Sequence, residues 1–106
     1  MGLFGSVSGK QIDEFAKALA REIASRCPPA PGEGGGRPDV PPRRLTTAID
    51  EVCAKALGFK NLHRLGIYRK ARLGNTFRWE LTDLGYDKRF AEELTQRLVV
   101  HIARKA

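Results

Sequence analysis

Residues 60–84, KNLHRLGIYRKARLGNTFRWELTDL, decide the fold because they read in two ways. As a helix, they place Leu73, Phe77, Leu81 and Leu84 on one face at spacings of three and four. As a β-hairpin over 65–83, Gly74-Asn75 supplies a two-residue turn with Gly first, as a type II′ turn prefers. Phe77, Trp79 and Leu81 then alternate with Arg78, Glu80 and Thr82. Arg69 faces Glu80, and Lys70 faces Trp79, across the strands. The residues that follow favour the helix. Gly85 suits a left-handed C-cap position, and Tyr86 beyond it can fold back onto Leu81, as a Schellman ending requires. The expected fold class is all-α, with α+β containing one hairpin at 65–83 as the alternative. Inside a helix, Gly74 either carries a penalty of about 1 kcal/mol or ends one helix as Thr76 caps the next.

On the N-terminal side, Thr46 or Thr47 opens a helix running to Leu57. Gly58 stops it, and Phe59 folds back onto it. On the C-terminal side, Asp87 caps a last helix whose stripe is Phe90, Leu94, Leu98 and Ile102. Arg104 and Lys105 suit its C-terminal dipole. Residues 28–44, PPAPGEGGGRPDVPPRR, hold all six prolines and a Gly triplet. That composition excludes regular structure and reads as a linker spanning about 23 Å. Before it, Ser8 fits an N-cap, Gln11 its capping-box partner, and Val7 with Ile12 a hydrophobic staple. Ile12, Phe15, Ala16, Leu19 and Ile23 form one stripe. The organisation expected is an amphipathic helix at 1–27, a flexible linker at 28–44 and a compact helical domain at 45–106. The first helix either docks on that domain or moves independently.

The chain has 106 residues, a net charge of +7 and 42% hydrophobic residues, so one domain, or one small domain plus an appendage, is expected rather than disorder. No apolar run approaches the length of a membrane span. No basic n-region precedes an apolar h-region, so a secretory signal is not expected. Cys27 and Cys53 make no disulfide framework, and a reducing cytoplasm is the default expectation.

The charge is concentrated. Residues 59–79 hold six Lys or Arg, no Asp or Glu, and four of the eight aromatics. Such a field attracts nucleic acid, anionic lipid or an acidic protein. In a helix, Tyr68, Arg72, Thr76 and Trp79 line up away from the apolar stripe, offering cations to phosphates and rings to bases. The candidate nucleic-acid-binding residues are Lys60, Arg64, Tyr68, Arg69, Lys70, Arg72, Arg78 and Trp79. If all six cations engage duplex DNA, log K falls with log salt at a slope near about −5. The same residues also read as a solvated basic face with Trp79 filling a corner of a small core.

A helix-turn-helix is a narrower candidate. A helix at 47–57, a turn at 57–59 and a helix from Asn61 would set Lys60, Asn61, His63 and Arg64 at the start of a reading helix. Arg64 falls where that motif wants an apolar residue. The pair 76–84 and 88–100 would turn Glu92 and Glu93 toward phosphates. The leading expectation is a small non-catalytic nucleic-acid-binding protein. The alternative is an adaptor or regulatory subunit that binds a protein through Ile12, Phe15, Leu19 and Ile23 and through the Arg/Trp surface. Self-association as a homodimer is expected, because a unit of about 60 residues buries little core.

Other motifs carry less. MGLFGS matches the myristoylation pattern at Gly2. PDVPPR has the P-x-x-P-x-R form of polyproline ligands, with Arg43 as anchor. Cys27, Cys53, His63 and His101 match no zinc-ligand spacing, so neither a metal nor a cofactor is expected. No nucleophile, base and orienting group come together in the sequence, and no Gly-rich phosphate loop opens a helix, so catalysis is not expected.

Overall fold

A computed structural model describes residues 7–104. It contains four helices and, among those residues, only isolated β-bridges. The helices are α1 (Gly9–Arg26), α2 (Pro42–His63), α3 (Ile67–Asp83) and α4 (Lys88–Ala103). The fold is all-α, and the hairpin at 65–83 is not adopted. Residues 67–83 form one uninterrupted helix through Gly74 and Asn75. Gly74 is tolerated there for a packing reason. A Cβ at this position would meet Val99 Cγ2 of α4 at 2.8 Å, so the missing side chain lets the two helices approach.

Several ends form as local chemistry dictates. Ser8 and Gln11 make the reciprocal capping box of α1. The Asp87 side chain accepts from the Phe90 amide to start α4. α3 ends in a Schellman turn. Gly85 has φ +108, the Tyr86 amide donates to the Leu81 carbonyl, and the Gly85 amide donates to that of Thr82.

α2 departs from expectation at both ends. It begins at Pro42 rather than Thr46 or Thr47, because proline at the first helical position loses no hydrogen bond and presets φ. It also runs through Gly58. Phe59 does not fold back; its ring stacks on Phe15 of α1 with centroids 3.9 Å apart. That contact offsets the helix penalty of one exposed glycine, about 1 kcal/mol. The true stop is Arg64 in the left-handed region, φ 52, where the Arg64 and Leu65 amides both donate to the Lys60 carbonyl. The turn expected at 57–59 is absent, and with it the helix-turn-helix built on it.

The helices pack as α1–α3, α3–α4, α1–α2 and α2–α4. Asp13 meets Arg72 and Arg21 meets Glu80, so α1 and α3 run parallel. Glu22 meets Lys55 and Arg26 meets Glu51, so α1 and α2 run antiparallel. These exposed pairs set register more than stability. One continuous core draws on all four helices. Ile12, Leu19 and Ile23 of α1 join Val52 of α2, Leu73, Phe77 and Leu81 of α3, and Leu94, Leu98 and Ile102 of α4. The first helix is therefore docked. Its stripe is inside the chain's own core, and the premise that residues 45–106 must find a core elsewhere falls away.

The segment between α1 and α2 is strapped down rather than loose. The Gly36 amide donates to Gly85, the Asp87 amide donates to Gly36, and the Ala30 amide donates to Arg37. Arg37 pairs with Glu93 and lies over the Phe90 ring. The buried Tyr86 hydroxyl donates to the Cys27 carbonyl beneath the strap. Gly35 and Gly36 are needed for close approach, since a Cβ on Gly35 would meet the Tyr86 carbonyl at 2.6 Å and one on Gly36 would overlap the Ala30 carbonyl. PDVPPR is not one polyproline stretch, because Pro42 and Arg43 already belong to α2. The MGLFGS motif lies outside the described residues.

Candidate nucleic-acid interface

α3 distributes its side chains by the 100° step of an α-helix. Leu73, Gly74, Phe77 and Leu81 face the core and are buried. Tyr68, Arg72, Asn75 and Trp79 then fall together on the outer face. With Arg69, Thr76 and Asp13 they line an open groove of about 720 Å³ between α1 and α3. Tyr68 is 88% exposed and Trp79 is 59% exposed, so neither ring fills the core. Eleven residues apart on one helix, they stand about 16 Å from each other along the axis. The Arg78 guanidinium lies 5.1 Å from the Trp79 ring centroid and adds positive charge beside it.

The expected cations separate into four groups. Arg69 and Arg78 belong to the groove or its rim, and neither makes an ion pair among the described residues. Lys70 does not line the groove, being 200° around the helix from Tyr68. Lys60 and Arg64 end α2. Lys60 donates to the Arg104 carbonyl, whereas Arg64 is exposed in the turn before α3. The segment does not present six equivalent cations on one surface.

Arg72 is the fourth case. Its Nε donates to Asp13 Oδ1 at 3.0 Å and its Nη2 to Oδ2 at 2.9 Å. The Thr76 hydroxyl donates to the same Oδ1 at 2.9 Å. The Arg72 hydrogen bonds, helped by Thr76 and the charges of Arg72 and Lys17, hold the Asp13 carboxyl below the usual carboxylate value despite partial desolvation. Asp13 was invisible as a site residue in the sequence, because it lies 59 residues from Arg72. Among the partner-binding candidates, Ile12, Leu19 and Ile23 are buried and Phe15 is half-buried against Phe59.

A second open groove, of about 580 Å³, lies between α2 and α4. Its Asp50, Glu93, Arg97, His101 and Arg104 mix both signs of charge, and Cys53 forms part of its lining. Burial raises the Cys53 and Cys27 thiols above their usual values, which disfavours the reactive thiolates. Among the described residues no three potential ligands converge on a metal position, and no helix is long and apolar enough to cross a membrane. No family model, curated protein or solved structure matches the chain, so the groove is read from its own geometry.

Proposed function

We propose that this is a non-catalytic protein that binds single-stranded nucleic acid along the α1–α3 groove. The observation that carries the reading is the pair of exposed rings, Tyr68 and Trp79, on one groove with Arg69 and beside Arg78. Rings of this kind stack on unpaired bases, worth about 1–3 kcal/mol per base, and flanking guanidinium groups follow the backbone. A duplex offers its bases edge-on, so it cannot use both rings in this way.

The test is fluorescence anisotropy with labelled single- and double-stranded DNA and RNA over a salt series. Single strands are expected to bind tighter than duplex. With Arg64, Arg69 and Arg78 engaged, the single-strand slope is about −2. Trp79→Ala should weaken binding roughly 5- to 150-fold. No single-strand binding near physiological salt, or an unchanged affinity in Trp79→Ala, sinks the reading.

One observation favours a protein partner instead. Leu62, Ile67 and Tyr68, which flank the α2–α3 turn, are 75%, 74% and 88% exposed. A nucleic-acid backbone has no use for the first two. Loss of nucleic-acid binding on Arg69→Glu, with pull-down of a protein partner intact, would separate the two surfaces.

A further inference from the structure

We infer that the Arg72 fork and the Thr76 hydroxyl are a phosphate subsite of the α1–α3 groove, occupied in this structure by the carboxylate of Asp13. Asp13 therefore restrains binding of a nucleic-acid backbone. The inference rests on the reading of the groove as a single-strand site.

Three features carry it. The first is the donor set. Two parallel guanidinium N–H groups and one hydroxyl converge on the two oxygens of Asp13 at 2.9–3.0 Å. A phosphate takes the same donors in the same fork geometry. The second is position. Arg72 lies between Tyr68 and Trp79 in sequence and shares their outer face, so a strand stacked on both rings passes its backbone over it. The third is access. The Arg72 side chain is 54% exposed and that of Asp13 is 30% exposed, so an incoming anion reaches the pair without opening the core. Asp13 is also the only acid lining the groove among the described residues. One substitution therefore removes the local negative charge and releases a cation together.

The experiment measures binding of the full chain to labelled oligothymidylate at about 0.15 M salt, for the wild type, Asp13→Asn and Asp13→Asn/Arg72→Gln. One added single-strand phosphate contact releases roughly 0.7 counterion, which at this salt corresponds to about fourfold in affinity. Asp13→Asn is expected to bind at least that much tighter, with a salt slope steeper by about 0.7. The double variant removes a neutral pair and is expected to return close to the wild-type affinity.

Wild-type binding that Asp13→Asn fails to improve, with an intact helical spectrum and melting transition, makes Asp13 an interhelical clasp alone and overturns the inference while leaving the reading of the groove in place. A double variant that binds much more weakly than the wild type also overturns it, since Arg72 would then already be contacting the ligand. Absence of binding in all three overturns both proposals. Should Asp13→Asn not fold, Asp13→Ser makes the same comparison, since it also removes the carboxylate charge: a gain of about fourfold supports the inference and an unchanged affinity overturns it.

Discussion

Gly74→Ala sets two effects of similar size against each other. Alanine in a helix interior gains about 1 kcal/mol over glycine. The new Cβ, however, would lie 2.8 Å from Val99 Cγ2. Carbon atoms settle at about 3.5–4.0 Å, so the gap is short by roughly 1 Å. Val99 is β-branched and held to one rotamer on its helix, so its methyl cannot swing aside freely. Either α3 and α4 part or Val99 is strained, and overpacking of this kind costs about 1–3 kcal/mol. The net expectation is a destabilisation of about 0–2 kcal/mol. Val99→Ala removes the obstacle, so in that background Gly74→Ala should stabilise by about 1 kcal/mol. The coupling between the two sites is then about 1–3 kcal/mol. Urea denaturation followed by circular dichroism at the helical band reads all four corners of the cycle. Stabilisation by Gly74→Ala in both backgrounds would refute the close approach of α3 and α4. Destabilisation in both would instead mark a glycine held in a turn, as the hairpin requires.

Three further outcomes are expected. Tyr86→Phe leaves the buried Cys27 carbonyl without its donor and should lower stability by about 1–3 kcal/mol in the same assay. Burial keeps the Tyr86 hydroxyl protonated well above its usual value of 10.0, so its contribution is complete below that pH and is lost as pH rises, when only the unfolded state ionises; Tyr86→Phe should flatten this part of the alkaline limb of a stability–pH curve. Gly36→Ala drives a Cβ into the Ala30 carbonyl and should destabilise by about 2 kcal/mol or more, whereas Gly34→Ala, with open space but φ +76, should cost only about 1 kcal/mol by thermal melting. Asp13 has a lowered pKa, so its contribution holds above the usual value of 3.8 and fades as pH falls below it; acid melts of Asp13→Asn should lack that step.

What could be read from the chain was local. The Ser8–Gln11 box, the Asp87 cap, the Schellman turn at Gly85 and the stripe of α4 each depend on residues within a few positions of one another. What could not be read was decided by distant partners. Gly58 resembles a helix stop until Phe59 finds Phe15. Gly34, Gly35 and Gly36 read as a flexible linker until the strap finds Gly85 and Asp87, where the backbones of Gly35 and Gly36 make close approaches that a side chain would block. Composition gives the freedom of the isolated chain, and the fold uses that freedom to make contacts.

The same division governs the site. Once α3 is a helix, its angular step alone brings Tyr68, Arg72 and Trp79 onto one face, and the structure adds that the rings stay exposed. The field over that face does not follow from α3 alone. A count of six cations implies a slope near about −5 on duplex. The structure ties Arg72 to Asp13, carries Lys70 around the helix from the rings and engages Lys60 with the Arg104 carbonyl. Three cations without ion-pair partners among the described residues remain near the rings or the turn before them: Arg64, Arg69 and Arg78. The salt slope therefore measures how many of the six cations are available, and Asp13→Asn should raise that number by one.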